Sequence, residues 1–281
     1  MLTTQRKEFH RRLATSGLLT QQNGVPSNAD SDNKASRAFA KGIAMRLPVK
    51  LKEKERAAAQ SLGSWFEEAC RKFLTAAFAD LSHLRPGSWQ FFSGTDAKSI
   101  EVFEQYKHLR VLEDLARTSP EIAAALGSDY TIKPDIVIAR ETETDESINA
   151  HKSIVNAGVA TMASLRRANG GVPLLHASVS CKWTIRSDRS QNSRTEALNL
   201  LKNRKGRAPH IVVVTAEPTP SRLASIALGT GEIDCVYHFA LPELAEAVAD
   251  SDNDEAKTSL QIMVDGGRLK DIADLPLDLA I

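Results

Sequence analysis

The chain has 281 residues, of which 42% are hydrophobic and 25% are charged, so it can bury a full core in one or two domains. It contains no apolar run long enough to cross a membrane and no N-terminal signal segment, which predicts a cytoplasmic protein without membrane association. Its three cysteines lack a CxxC or paired Cys-His spacing, which argues against a disulfide framework and against a zinc site.

The charge is unevenly distributed along the chain. A net charge of +1 argues by itself against a polyanionic partner. Residues 181–207, however, carry an excess of six positive charges, whereas the rest of the chain is net negative. A basic patch on an acidic body can direct one face toward phosphates, although a solvated helix face would have the same composition.

The first 126 residues carry mainly helical patterns and form a predicted N-terminal helical and arm region. Their apolar spacing predicts a helix over residues 3–19 and another from about Gly63 to Leu81, with Glu67 in its first turn. The turn-rich residues 21–36 predict a loop, in which Asp30 is solvated or caps the following helix. Further helices are predicted over residues 100–115 and 120–126.

From residue 127 onward the pattern changes to short apolar strands separated by helical segments. The predicted strands are residues 130–139, 172–183, 210–215 and 233–239, and the predicted helices are residues 154–167 and 194–204. Asp135 lies inside the first of these strands. The pattern predicts one α/β domain over residues 1–281, with a central mixed sheet flanked by helices and a catalytic core at about 127–240.

Four charged residues in this arrangement have the chemistry of phosphodiester hydrolysis. Asp135 on one strand would hold Mg²⁺, a metal that prefers hard oxygen ligands and keeps several waters. Glu196 and Glu67 would complete the metal shell directly or through water. Lys182, at the end of a neighbouring strand, would orient or deprotonate the attacking water.

Each of these residues also has a purely structural explanation. Ser193-x-x-Glu196 is a capping-box pattern, and Glu67 in a first helical turn would favour the helix dipole. Cys181 is an alternative nucleophile with His176 or His210 as its base. Strand alternation places Cys181 on the face opposite Lys182, and no protease-like Cys-His spacing is present, which argues against that chemistry.

Residues 186–189, Arg-Ser-Asp-Arg, follow the predicted catalytic lysine closely. In the DNA major groove, arginine reaches both acceptors of guanine and aspartate accepts from the cytosine amino group. Arg186, Asp188 and Arg189 therefore suit the reading of a sequence made of G·C pairs. The alternative is an Arg-Asp-Arg surface ion-pair network.

The order Pro134-Asp135, Lys182 and Glu196, with 46 and then 13 intervening residues, resembles the variant PD…K…E motif of the NgoMIV-like type II restriction endonucleases of the CCGG family. In that family the acid two positions before the lysine is absent, and a glutamate on the next helix replaces it. Ser180 occupies that position here. The resemblance covers nearly the whole chain and is clearest in residues 127–132, 174–178, 180–189 and 210–239.

The resemblance implies a restriction-endonuclease (PD-(D/E)xK) fold and Mg²⁺-dependent cleavage of double-stranded DNA at GCCGGC, after the first G. It implies that one or two Mg²⁺ ions bind at Asp135, Glu196 and Glu67, with Cys181 contributing through its backbone. Two rival functions stay open. They are a PD…K-type nuclease with another target and a sequence-specific DNA-binding protein that does not cleave.

The resemblance also assigns the contacts with DNA. Arg186, Asp188 and Arg189 would read the CCGG core, and Gln60 would touch the minor groove. Arg222 with Asp30 would read the outer base pair. The family resemblance implies a homotetramer built as a dimer of dimers, and a palindromic target independently requires at least a two-fold dimer.

Overall fold

The structure is a computed structural model that describes residues 1–54, 59–126, 132–185, 187–229 and 231–281, without the side chains of residues 59–60, 125–126 and 187–190. Its α-helices are α1 (Leu2–Thr15), α2 (Lys34–Arg46), α3 (Ala59–Asp80), α4 (Leu109–Thr118), α5 (Pro120–Leu126), α6 (Asp145–Ile148), α7 (Ser187–Asn203), α8 (Pro220–Ala227), α9 (Leu241–Ala249), α10 (Asp254–Asp265) and α11 (Leu275–Asp278). Its strands are β1 (Gln21–Gln22), β2 (Val25–Pro26), β3 (Trp89–Ser93), β4 (Ile136–Arg140), β5 (Leu174–Lys182), β6 (His210–Thr215), β7 (Cys235–His238) and β8 (Leu269–Asp271).

A six-stranded mixed sheet forms the centre of the molecule, in the order β3-β4-β5-β6-β7-β8. Strands β3, β4 and β5 pair antiparallel, whereas β5 to β8 pair parallel. Nearly every residue of β4, β5 and β6 is buried, as expected for strands that are covered on both faces. The predicted fold class, a mixed sheet flanked by helices, is confirmed.

The sheet is wider than the sequence predicted. Its two edge strands, β3 and β8, lie outside the predicted core of residues 127–240, so those boundaries are too narrow. Strand β8 has only three residues, too few to produce a periodic signal. Strand β3 is aromatic and pairs along its whole length with β4.

Helices α3 and α7 pack against opposite faces of β5. Cys181 and Trp183 point toward α3, where the ring of Phe66 lies 5.2 Å from the indole of Trp183 in an edge-on contact. Ser180 points the other way, and its hydroxyl lies 3.4 Å from that of Ser193 on α7. Because side chains alternate along a strand, one strand end can thus receive groups from both flanking helices.

Of two predicted helices, the one over residues 100–115 is α-helical only from Leu109 onward, and the one over residues 154–167 does not form an α-helix. Over residues 100–115 the backbone N–H groups of Ile100 and Glu104 donate to distant carbonyls, so only a 3₁₀ turn precedes α4. Over residues 154–167 the chain is a loop, because the side chain of Asn149 bonds the backbone of Ile154 and Val155. Such side-chain bonds compete with helix formation.

The segment before α2 is attached to the ends of β5 and β6. The Trp183 indole N–H donates to the Ser27 carbonyl at 3.4 Å, and Asn28 Nδ2 donates to the Ala216 carbonyl at 2.9 Å. These contacts place the turn that follows β2 beside the edge where the central strands end. Within the described ranges, no helix is both long enough and apolar enough to cross a membrane.

Candidate functional site

Asp135 and Lys182 meet at one end of the central sheet. Asp135 directly precedes β4, rather than lying inside it as predicted, and Lys182 is the last residue of β5. Lys182 Nζ lies 2.9 Å from Asp135 Oδ2, and the backbone N–H of Cys181 donates to the same oxygen at 2.7 Å. The Ser180 hydroxyl donates to it as well, at 3.4 Å. Three donors on one carboxylate oxygen, one of them charged, hold Asp135 in a fixed orientation.

Glu67 on α3 and Glu196 on α7 bring two more carboxylates to this end of the sheet. Burial, and then the negative charge of Asp135, raise the pKa of each glutamate to about 7, and Lys182 only partly offsets this. Oε1 of Glu196 is buried and has no hydrogen-bond partner in the described part of the chain. Three carboxylates therefore share one ammonium group, which leaves negative charge uncompensated when all three ionise.

The donor set fits a hard divalent cation, although the described residues contain no group of three His, Cys, Asp or Glu close enough to bind a metal ion together. Asp135 raises the pKa of both Glu67 and Glu196, so both glutamates lie within electrostatic reach of Asp135. Carboxylate oxygens are the ligands that Mg²⁺ and Ca²⁺ prefer. A cation bound here would offset the charge that now raises these pKa values.

The capping-box explanation for Glu196 is wrong. Helix α7 begins at Ser187, so Ser193 and Glu196 both lie inside it and cannot satisfy its first backbone N–H groups. The hydroxyl of Ser193 contacts Ser180 instead.

The first-turn explanation for Glu67 is also wrong. Helix α3 begins at Ala59, so Glu67 lies well beyond the turn where the helix dipole acts. Arg71 does not pair with Glu67, because its guanidinium bonds Glu68 at 2.8 Å.

Cys181 is unsuited to nucleophilic catalysis. Burial, followed by a contact with Cys70, raises the pKa of its thiol well above the usual value, so the thiolate is disfavoured. His176 bonds the Leu279 carbonyl, and burial lowers its pKa to about 3. His210 pairs with Ala177, near the other end of β5. No thiolate and base meet among these residues.

The predicted base-reading segment, residues 186–189, begins four residues after the end of β5. Arg186 and the side chains of Asp188 and Arg189 lie outside the described residues, as does the side chain of Gln60. The described backbone shows that α7 begins at Ser187, so the segment lies at a helix N-terminus. Along the chain, residues 186–189 thus lie between Lys182 and Glu196.

Asp30 and Arg222, predicted to read the outer base pair, form an ion pair between Asp30 Oδ2 and Arg222 Nη2. About one third of each side chain is exposed, so both can still meet a ligand. The alternative role of Asp30 as a helix cap is wrong, because Asn33 accepts the capping hydrogen bond from the Ser36 N–H at 2.9 Å.

Comparison with known proteins places the chain in a family. A family model described as NgoMIV restriction enzyme matches residues 9–281. The chain is also 53% identical to the type II restriction enzyme NgoMIV of Neisseria gonorrhoeae over 284 aligned residues, covering 100% of this chain and 99% of that protein. The chain belongs to the NgoMIV restriction enzyme family. It is a type II restriction endonuclease like NgoMIV, which confirms the resemblance found in the sequence.

Among solved structures, the NgoMIV-family chain is similar to a restriction endonuclease PspGI–substrate DNA complex. The TM-score is 0.32 with 11% sequence identity, over 99% of this chain and 91% of that chain. The family assignment rests on the two sequence matches and not on this likeness.

One residue in the NgoMIV-family site has no counterpart in the sequence prediction. Glu217 is fully buried between the ends of β5 and β6, and it contacts the backbone of Ile185 and the guanidinium of Arg222. The sequence around it, Ala-Glu-Pro-Thr, has the pattern of an ordinary loop. No local signal could have revealed a contact with a residue 32 positions away.

Proposed function

We propose that this enzyme cleaves double-stranded DNA at the palindrome GCCGGC, after the first G. The products would carry 5′-phosphates and single-stranded CCGG overhangs. The cutting chemistry is supported mainly by the convergence of Asp135, Lys182, Glu67 and Glu196 at one strand end. The target is the one that the family resemblance implies.

The proposal includes Mg²⁺ as the cofactor, with one or two ions in each site. Asp135, Glu196 and Glu67 would hold it through carboxylate oxygens, and Cys181 would contribute its backbone carbonyl. The unpartnered Glu196 oxygen and the two raised glutamate pKa values support a cation at this place. When bound, Mg²⁺ supplies Lewis-acid stabilisation of the negative charge that develops on the scissile phosphate.

Lys182 acts as a charged hydrogen-bond donor in this scheme. Burial lowers its pKa, but the charge and hydrogen bond of Asp135 outweigh burial, so the net pKa is raised. Its ammonium group orients the attacking water and stabilises the developing phosphate charge. The water oxygen loses a proton and bonds to phosphorus, and the bond from phosphorus to the 3′-oxygen breaks. The 3′-oxygen takes up a proton to become a hydroxyl, and the phosphate stays on the 5′-oxygen of the next nucleotide.

Recognition is proposed for the residues around this centre. Arg186, Asp188 and Arg189 would read the CCGG core in the major groove, where their donor and acceptor groups match guanine and cytosine. Arg222 with Asp30 would read the outer pair, and their partly exposed ion pair supports this role. Gln60 would contact the minor groove.

The assembly proposed is a homotetramer built as a dimer of dimers. A palindrome presents the same half-site twice, so two copies related by a two-fold axis can each cut one strand. Each chain would form one domain over residues 1–281, with the N-terminal helical and arm region contributing Glu67 and Asp30 to the site. The cytoplasm is the proposed location.

The test is a map of cut positions. Purified protein and Mg²⁺ are incubated with DNA that contains many different hexamers, and the new ends are sequenced. The proposal predicts ends after the first G of GCCGGC and no cleavage without a divalent cation. Cuts at another sequence would favour the nuclease with a different target, and intact DNA with specific binding would favour a non-cleaving protein.

A further inference from the structure

Glu217 places a carboxylate where the two central parallel strands β5 and β6 end. Its side chain is 1% exposed. Oε2 accepts the backbone N–H of Ile185 at 2.9 Å, and Oε1 accepts the N–H of Thr219 at 3.1 Å. Arg222 Nη1 lies 3.9 Å from Oε2. A carboxylate is costly to bury, so its three polar neighbours are needed to keep it there.

The backbone of Glu217 is fixed independently of its side chain. Its N–H donates to Thr215 Oγ1 at 3.1 Å. Its carbonyl accepts from Nε2 of His238, a fully buried side chain on β7, at 3.1 Å. These two hydrogen bonds fix the backbone of Glu217. Its carboxylate can therefore hold Ile185 and Arg222 in defined positions.

The first group that the Glu217 carboxylate holds is the backbone of Ile185, which precedes the core-reading residues 186–189. Ile185 is the last described residue before Arg186, so the hydrogen bond to Glu217 fixes the backbone at the point where residues 186–189 begin. This bond is made across 32 residues of sequence, between the strands that carry Lys182 and Thr215.

The second group is the guanidinium of Arg222, which with Asp30 is proposed to read the outer base pair. The Arg222 guanidinium is bonded to Asp30 through Nη2 and faces Glu217 through Nη1. Two carboxylates on different segments thus orient one arginine, and Glu217 is the buried one of the two.

We infer that Glu217 is a positioning residue that couples reading of the CCGG core by residues 186–189 to reading of the outer base pair by Arg222 and Asp30. This inference rests on the proposed function. The buried carboxylate thereby sets the relative placement of these two sets of base contacts.

A purely structural role for Glu217 predicts something different. If the carboxylate only stabilised the turn before α8, its loss would lower stability and reduce cleavage of every site in the same proportion. A coupling role predicts a change in the ratio of cleavage rates between sites, because base contacts would move relative to one another.

The experiment compares kcat/KM on duplexes that carry the wild-type enzyme's own preferred hexamer, an outer-pair variant and a core variant. The isosteric change Glu217→Gln keeps the shape but replaces one acceptor oxygen by a donor amide. We expect discrimination against both variant duplexes to fall about tenfold, the scale of one base contact. Glu243→Gln is the matched control, since it neutralises another mostly buried carboxylate whose ion-pair partner is Arg6 rather than a reading residue.

A second arm tests whether Glu217 acts through Arg222. Arg222→Ala should reduce discrimination at the outer pair alone, and the double variant should be no worse there than Arg222→Ala. If Glu217→Gln does not fold, Glu217→Asp replaces it, because the shorter side chain keeps the charge but cannot span Ile185 and Arg222.

The inference is overturned if the Glu217 variant keeps both ratios within about twofold of wild type, or lowers all rates equally as Glu243→Gln does. Because each ratio refers to the hexamer that the wild type prefers, a wild type that prefers a sequence other than GCCGGC refutes the proposed target, and the same ratios still decide the coupling. Unchanged ratios in a wild type that does prefer GCCGGC refute the coupling alone.

Discussion

The environment of Glu196 departs strongly from what water would provide. One of its oxygens is buried without a partner in the described structure, and burial with the nearby Asp135 raises its pKa to about 7. At neutral pH the Glu196 carboxyl group is thus partly protonated and partly ionised. A bound cation would favour the ionised state, because opposite charge lowers a carboxyl pKa.

This environment makes the stability of the metal-free protein depend on pH. The folded-state pKa of Glu196 is raised from 4.5 to about 7, so the folded protein binds more protons than the unfolded chain between these values. Stability should therefore fall as pH rises from about 4.5 to about 7 and stay low above it. Mg²⁺ should restore stability at the higher pH.

Denaturant unfolding without metal, at about pH 5 and about pH 8, measures this effect. Glu196→Gln should remove on the order of 2 kcal/mol of the difference between the two pH values. Glu255→Gln, a change on the exposed side of α10, should leave the difference as it is. If the free energy of unfolding depends on pH equally in wild type and Glu196→Gln, the pKa of Glu196 is not raised in the folded protein.

At the scale of elements, α1 is held to the sheet by one arginine. The Arg6 guanidinium bonds Asp271 at 2.8 and 2.9 Å and Glu243 at 2.6 and 2.9 Å. It thereby joins α1 to β8 and α9. All three side chains are largely buried, so removal of the cation would leave two carboxylates unpaired.

We expect Arg6→Ala to lower the free energy of unfolding by about 2 kcal/mol, somewhat less than for a fully buried pair. Arg11→Ala is the control on the same helix, since Arg11 is mostly exposed and bonds only Glu8, and it should change stability little. Urea unfolding curves give both values. If the two substitutions lower the free energy of unfolding equally, the Arg6 network stabilises the protein no more than the exposed Arg11–Glu8 pair does.

The elements that the sequence predicts best are the buried strands. The apolar runs over β5 and β6 are continuous because both faces of these strands are covered. Such a run is visible in the sequence itself. The starts of α3 and α7 were placed several residues too late. The first turns of α7 are polar and lack an apolar stripe, so helical periodicity becomes visible only near Ala197.

The site was predictable to the extent that its residues sit beside such strands. Asp135 and Lys182 flank β4 and β5, and the structure brings them into contact. The approach of Glu67 and Glu196 depends on helix packing, which spacing alone does not determine. Glu217 was missed because Ile185, whose backbone it holds, lies 32 residues away in sequence. The catalytic roles of all these residues stay predictions.

For the whole molecule, the proposed tetramer predicts a mass in solution four times that of the 30.6 kDa chain. Light scattering of the purified protein measures it. A tetramer with two DNA clefts should also cut a plasmid with two GCCGGC sites faster than a plasmid with one, because the second site binds at high effective concentration. A monomer that cuts both plasmids at equal rates would contradict the assembly.

In the proposed function, one strand end cuts DNA and the neighbouring segments select the sequence that is cut. Lys182→Ala separates these tasks, and binding of the variant to a GCCGGC duplex with Ca²⁺ should be compared with its cleavage of the same duplex with Mg²⁺. We expect specific binding to persist while cleavage falls by more than about a thousandfold, whereas exposed Lys107→Ala should change neither. Cleavage by Lys182→Ala at a rate near that of wild type would contradict the proposed function.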